Sequence, residues 1–308
     1  MEFHFLGTGA GVPSLQRNVS SLAIRFLQER GVQWLIDCGE ATQHQMMKSA
    51  ISPSKIDRVF ITHLHGDHIY GLPGFLGTRS FQGATTPLTI YGPEGLESFI
   101  QTALTISGTY LRYDLHFVEI YHGQTIDTGF ATVSVCELKH TMKSFGFRIE
   151  EKDKPGELDV SKLQALHIPP GPIYQKIKLG ETVVLEDGRT IDGTEFIGPK
   201  RKGRVVVIAG DTQPTADMVK FAAEADVLIH EATFRSGLEE NAHEFGHSTI
   251  QDVAEVATEA KVKQLILTHI SSRYLNEEDA FAEEAMTYFK QTWIATDLSI
   301  FHLERFHR

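Results

Sequence analysis

The sequence predicts a layered α/β fold, and three observations carry that prediction. Strand-like runs of β-branched and aromatic residues alternate with helical stretches along most of the 308 residues. Polar residues recur at the C-terminal ends of those runs, at His63, His140, Asp211, His230 and His269. One run, VFITHLHGDH at 59 to 68, delivers His63, His65, Asp67 and His68 within six residues. Sites in sheet proteins gather at such strand ends, so these loops are expected to converge on one cleft.

Composition narrows the function classes. Hydrophobic residues at 41% and charged residues at 22% suit an ordinary soluble globular protein with ample core. No apolar run approaches the ~20 residues of a membrane span, and MEFHFLGTGA lacks the basic and apolar regions of a secretory signal. Cys38 and Cys136 are too few for a disulfide framework and fit a reducing cytoplasm. The net charge of −11 argues against a general nucleic-acid-coating protein. It leaves room for a local basic site beside bound cations.

In chain order, residues 2 to 8 alternate as a strand, followed by a loop with Gly7, Gly9, Gly11 and Pro13. Residues 20 to 27 and 32 to 37 read as a hairpin pair around Gly31. Asp37 ends the second strand; it either orients nearby ligands through hydrogen bonds or caps the helix expected from Gly39 to about Ala50. Residues 68 to 82 are helical but broken by Gly71, Pro73, Gly74 and Gly77. A strand at 88 to 91, an amphipathic helix at 93 to 106 and several strands over 115 to 149 follow. Residues 150 to 203 interrupt the pattern with prolines, glycines and little core periodicity. Residues 150 to 204 hold ten Lys or Arg and ten Asp or Glu, so the remaining residues carry the whole net charge. The segment closes on the basic run PKRKGR. Regular α/β resumes with strands at 204 to 212, 226 to 233 and 263 to 269. A helix starts at His247, Ser248 and Thr249 with Ser248 or Thr249 as its cap, and another spans about Glu277 to Lys290 before two short strands.

The chemistry centres on HLHGDH. On an extended chain His63 and His65 share a face, and Gly66 lets the backbone turn so that Asp67 and His68 return from a helix N-terminus. Imidazoles and a carboxylate clustered in this way suit Zn²⁺ or Mn²⁺. Such a cluster cannot fill two metals alone, so further ligands come from elsewhere in the chain. His4, His44, His116, His122, His167, His243, His302 and His307 lack a partner pattern and default to surface or packing.

With these residues in view, the chain resembles the ribonuclease Z family, tRNA 3′-processing endoribonucleases of the short bacterial type within the metallo-β-lactamase superfamily. HLHGDH carries the superfamily resemblance; HEAT at 230 to 233, HST at 247 to 249 and PPGPIYQKIK at 169 to 178 carry the family. The resemblance implies a four-layer αβ/βα sandwich, one domain over 1 to 308 with a flexible tRNA-binding arm inserted at 150 to 203. It implies two zincs, with Mn²⁺ or another divalent metal as the alternative. His63, His65 and His140 would hold one, Asp67, His68 and His269 the other, and Asp211 would bridge them. The loop PSLQRN at 13 to 18 resembles a family loop associated with discriminating tRNA 3′ ends, with Leu15 where Lys is usual.

Two divalent metals ~3.5–4 Å apart hold a water between them, lower its pKa and aim it in line at phosphorus. By resemblance Asp67 would also accept the water's proton. His247, a histidine outside the ligand set at a helix start, fits the acid that protonates the leaving ribose oxygen, with Glu231 or a neighbour orienting it. Arg273, Phe81 and Tyr274 are the candidates to contact a single-stranded RNA end, and the arm's Lys176 and Lys178 to contact backbone phosphates. The resemblance implies a homodimer acting on precursor tRNA in the cytoplasm, one subunit's arm holding the tRNA body while the other's site cuts, with no membrane partner. The alternative is a small-molecule phosphodiesterase or arylsulfatase on the same scaffold, which has no use for the arm. A non-catalytic RNA-binding protein is disfavoured by the complete ligand set.

Overall fold

The computed structural model describes residues 1–29 and 31–304, so His307 lies outside it. In chain order the elements are β1 (Glu2–Gly7), β2 (Ser21–Phe26), β3 (Val32–Ile36), α1 (Thr42–Met47), β4 (Ile56–Phe60), α2 (Gly66–Ile69), α3 (Leu72–Phe81), β5 (Leu88–Gly92) and α4 (Leu96–Ser107). Next come β6 (Leu115–Glu119), β7 (Thr125–Asp127), β8 (Ala131–Leu138), β9 (Ser144–Glu151), α5 (Val160–Ala165), α6 (Pro172–Lys178), β10 (Thr182–Val184) and β11 (Thr190–Asp192). The chain ends with β12 (Val205–Ile208), α7 (Ala216–Phe221), β13 (Val227–Glu231), α8 (Glu239–Glu244), α9 (Ile250–Glu259), β14 (Leu265–Thr268), α10 (Glu278–Tyr288), β15 (Thr292–Ile294) and β16 (Ile300–His302).

The chain divides into two compact units, residues 1–149 with 205–304, and residues 150–204. Among the described residues the first unit holds two seven-stranded sheets, ordered β16-β1-β2-β3-β4-β5-β6 and β15-β14-β13-β12-β9-β8-β7. Alternation along the strands explains why these sheets stack in four layers. Phe60 of β4 faces a shared core with Phe5, Trp34, Phe147, Ile208, Ile229 and Ile266 from both sheets. Its neighbour Val59 faces the other way, onto Phe75 and Leu76 of α3 and Ile100 of α4. Likewise Leu228 and Leu267 back onto Met218, Val253, Val256 and Phe281 of the helices on the second sheet. The order is therefore helices, sheet, sheet, helices. The central strands β3 to β6 and β12 to β15 run parallel, which puts the C-terminal ends of β12, β13 and β14 on one edge.

The expected elements are present with small shifts. The helix expected from Gly39 to Ala50 is only Thr42–Met47, and its N-cap is Ala41, so Asp37 does not cap it. Four short helices have no counterpart among the expected elements: α7 and α8, and α5 and α6 within residues 150–204. Residues 150–204 carry more order than their composition suggests: Leu163, Ile168, Ile177, Val183, Ile191 and Phe196 form their own buried cluster. Within PKRKGR, Arg204 is buried against Glu151 at 2.6 Å and Arg201 lies 3.5 Å from Glu157. The basic run is therefore partly neutralised inside its own unit, while Lys200 and Lys202 remain exposed.

Candidate metal centre

His63 and His65 follow β4, Asp67 and His68 sit in the single turn of α2, and His140 lies two residues beyond β8. Asp211 follows β12, Glu231 ends β13 and His269 follows β14. The fold brings all eight to one site. His65 Nδ1 lies 3.1 Å from His63 Nε2 and 3.2 Å from His140 Nε2. Asp211 Oδ2 stands at the centre, 3.6 Å from His63 Nε2, 3.5 Å from His68 Nε2 and 3.3 Å from His269 Nε2. Asp67 Oδ2 lies 3.3 Å from His269 Nε2 and 3.6 Å from His68 Nε2. Three overlapping donor groups result among the described residues: His63, His65, His140 and Asp211; Asp67, His68 and His269; and Asp211 and His269 with His247.

A network behind the imidazoles fixes which nitrogen each presents. His68 Nδ1 donates to Asp37 at 2.7 Å, and Asp37 also accepts from the Thr62 amide and hydroxyl at 2.8 Å. Since the Thr62 hydroxyl donates to Asp37, His63 Nδ1–H donates to Thr62 Oγ1 at 3.0 Å. His140 Nδ1 donates to the Gly246 carbonyl at 2.7 Å. Gly246 has φ +77°, and a Cβ there would stand 2.7 Å from His140 Nδ1, so only glycine admits this approach. His269 Nδ1 donates to Thr233 Oγ1 at 2.9 Å, which passes its own proton to Glu231 at 2.7 Å. Each of these four rings thus turns an Nε2 lone pair into the site. His68 Nε2 is buried and, among the described residues, has no hydrogen-bond partner.

Lone pairs of neutral imidazoles so close together repel unless a cation lies between them. The donor set therefore fits divalent metal. Burial, with its neighbour His68, pushes His63 well below the usual imidazole range, and burial with His140 lowers His65. Burial opposes charge on Asp67, but the His269 hydrogen bond and the charge of His68 hold it well below the carboxylate range. Burial likewise opposes charge on Asp211, and His269, His68 and His63 outweigh it. Ionised carboxylates and neutral imidazoles are the forms that bind metal, so Asp67, Asp211, His63 and His65 are held ready for it. At His68 burial is outweighed by Asp211 and Asp37, which raise it well above the imidazole range, and a metal there would displace its proton.

His247 stands beside this cluster, its ring 5.1 Å from that of His140 and 5.5 Å from that of His269. Its Nδ1 meets Glu231 Oε1 at 2.8 Å. Glu231 is held in turn by the amides of Thr212 and Thr233. Burial lowers the His247 pKa, but the charge and hydrogen bond of Glu231, with Asp211, raise it to about 9.

Other expectations fare differently. His230 points away: along β13 it alternates with Glu231, its Nδ1 bonds the Glu231 carbonyl, and it is fully buried. His4, expected at the surface or in packing, is buried against Glu2. Tyr274 is buried with its hydroxyl accepting from the Arg235 amide, so its ring cannot stack a base. Arg273 lies over the Phe234 ring at 4.9 Å, and that ring is 6.3 Å from His247. Phe81 ends α3, 87% exposed and in none of these contacts. Lys176 and Lys178 are exposed on α6 in the other unit. The sequence reading missed Thr62, Thr233 and the Gly246 carbonyl; Thr233 lay inside the HEAT run, the other two carried no local signal.

The comparisons agree with this architecture. A family model described as Anti-Pycsar protein Apyc1 matches residues 1–294, so the chain belongs to the family it describes. A curated relative named Ribonuclease Z from Geobacillus kaustophilus (strain HTA426) is 55% identical over 306 residues, covering 99% of this chain and 100% of the relative. The chain belongs to the ribonuclease Z family. Among solved structures, the short form of human tRNase Z superposes with a TM-score of 0.71 at 32% identity, over 99% of this chain and 100% of that one. The metallo-β-lactamase fold protein YhfI from Bacillus subtilis, 20% identical, gives 0.68 over 97% and 98% of the two chains and supports the fold alone. This ribonuclease Z family member has the αβ/βα sandwich expected from its sequence.

Proposed function

We infer that the chain is a metal-dependent endoribonuclease that cleaves precursor tRNA on its 3′ side, releasing the trailer and leaving a tRNA 3′-hydroxyl. The observation that carries this is the Asp211 carboxylate standing 3.6 Å from His63 on one side and 3.5 and 3.3 Å from His68 and His269 on the other, with the His247–Glu231 pair alongside. In this reading His63, His65 and His140 hold one Zn²⁺, Asp67, His68 and His269 a second, and Asp211 bridges them. The 3.1–3.2 Å nitrogen spacings suit ligands gathered round one divalent ion, zinc included. Ligands at ~2.0–2.1 Å on a tetrahedron stand about 3.3 Å apart.

When bound, two such ions lower the pKa of a water and offset the negative charge that builds on the phosphoryl oxygens. The protein's residues do the rest. Asp67 receives the water's proton on its carboxylate. Glu231 holds His247 at Nδ1, so that Nε2–H faces outward and is given to the departing ribose oxygen. Thr233 ties Glu231 to His269, keeping the acid and one ligand in register. Arg273 over Phe234 offers a cationic, planar surface beside His247 for the RNA end.

The family resemblance supports a homodimer whose arm, residues 150–203, holds the tRNA body in one subunit while the other cuts. Two buried, free cysteines are compatible with a cytoplasmic protein. Among the described residues no helix is long and apolar enough to cross a membrane. The decisive experiment pairs elemental analysis with cleavage of a precursor tRNA. Two metals per subunit and a mature 3′-hydroxyl end are expected. Zero or one metal in active protein would sink the two-metal reading, and intact precursor with hydrolysis of small esters would favour the phosphodiesterase alternative.

A further inference from the structure

The loop from Gly9 to Asn18 is tied down at both feet. The Gly9 amide donates to Asn18 O at 2.8 Å, and the Ala10 amide reaches Ile270 O at 3.2 Å, beside His269. Arg17 is buried and its guanidinium donates to Thr8 Oγ1 and Ala295 O, both at 2.7 Å. Asp297, from the turn between β15 and β16, gathers three donors: Thr8 Oγ1 at 2.7 Å, the Asn18 amide at 2.7 Å and Gln45 Nε2 at 2.8 Å. So Arg17 and Asn18 serve the loop's own anchorage, while Leu15 stands fully exposed at its tip. At its inner end the Gly11 amide donates to Asp67 Oδ2 at 2.8 Å.

A carboxylate rotates easily about its last bond, and Asp67 Oδ2 otherwise meets only histidine nitrogens at 3.3 and 3.6 Å among the described residues. The Gly11 hydrogen bond is therefore the short, directional contact on this group, of the charge-assisted kind that is roughly twice as strong as a neutral one. Gly11 delivers it from φ +71°, a conformation glycine adopts freely, asparagine tolerates and a β-branched residue resists.

We propose that Gly11 is a positioning residue for Asp67: the loop, anchored by Arg17 on Thr8 and Ala295 and by Asn18 on Asp297, sets the rotation of the Asp67 carboxylate. The inference rests on the reading of Asp67 as a metal-binding, proton-accepting group. It gives the glycine-rich loop a part in the reaction separate from contact with RNA.

The space around Gly11 makes a clean test possible, because a Cβ there meets nothing within 4 Å. Gly11→Asn and Gly11→Val both meet open space at Cβ and differ in their tolerance of the left-handed backbone. With bis(p-nitrophenyl) phosphate, Gly11→Val is expected to lose about tenfold or more in kcat at unchanged KM, the scale of one hydrogen bond to a charged group. It should also release metal faster to a chelator, with little change in Tm. Gly11→Asn should stay near wild type in all three. Asp297→Ala, which removes the acceptor of the Thr8, Asn18 and Gln45 donors, should follow Gly11→Val and keeps the test open if that variant fails to fold. Wild-type kcat and chelator resistance in folded Gly11→Val, or equal losses in both Gly11 variants, would overturn the proposal. Wild-type metal retention in folded Asp297→Ala would overturn the anchorage. Precursor-tRNA cleavage by the unmodified protein reports separately on the family reading, so the two fail independently.

Discussion

Each imidazole facing the cluster spends one nitrogen on a fixed partner and the other on the site, and this division decides what single substitutions do. His65 is the exception: its Nδ1 joins the nitrogens of His63 and His140, and it carries no anchoring hydrogen bond among those described. His65→Ala is therefore expected to remove a ligand without unfolding the strand end, with loss of one or both metals by elemental analysis and abolished cleavage. Full metal content in that variant would exclude His65 as a ligand. His247→Ala should behave oppositely. Its Nδ1 belongs to Glu231, so metal should stay while kcat on precursor tRNA falls ~10²–10⁴-fold, the range for loss of a general acid. Metal loss there would make His247 a ligand instead. Such residues were legible because a short motif lists its ligands in order, and HEAT and HST pointed to Glu231 and His247. Thr62 and the Gly246 carbonyl were not, because they act through hydrogen bonds that exist only once distant strand ends meet. His230 misled for a simple reason: next to Glu231 on a strand, it must face the helix layer.

At the scale of elements, long periodic segments were readable and short ones were not. The α9 start is a case of the first kind. Thr249 Oγ1 accepts from the Asp252 amide and Asp252 accepts from the Thr249 amide, a reciprocal cap visible in the sequence as Thr followed by Asp three residues on. Thr249→Ala should lower stability by ~0.5–2 kcal/mol, read from urea midpoints. It should leave kcat unaltered, because the strap carrying His247 is held independently by Ser248 on Thr212 O and by the His247 amide on Ala242 O. A large fall in kcat would mean that the helix cap itself sets the position of His247. The second unit is a case of the other kind. Its buried residues are spread over helices of six and seven residues and strands of three, among prolines and glycines. A helical or strand period needs a window of roughly 11 residues or more to stand out, so a small packed core looked like an irregular insertion.

For the molecule as a whole, the question is what the second unit adds to a site assembled entirely from the first. The protein's net charge is −11, and residues 150–204 contribute none of it. The exposed Lys176, Lys178 and Lys200 are therefore basic groups on a nearly neutral segment of an acidic protein. The neck of the segment offers a place to remove it. Lys154 and Arg201 exchange both backbone hydrogen bonds at 2.9 Å, so replacing residues 155–200 by Asn-Gly closes a two-residue hairpin at that pair. The buried Arg204–Glu151 pair below it is untouched. The shortened protein should keep its metals and its kcat on bis(p-nitrophenyl) phosphate, while KM for precursor tRNA rises. Losing three phosphate contacts should also flatten the slope of log affinity against log salt by roughly 2 to 3. An unchanged KM and slope would make the segment a linker and remove the case for an RNA-holding arm. Loss of small-ester hydrolysis in a folded, metal-replete protein would mean instead that residues 155–200 shape the catalytic site, and the division of labour between the two units would fall.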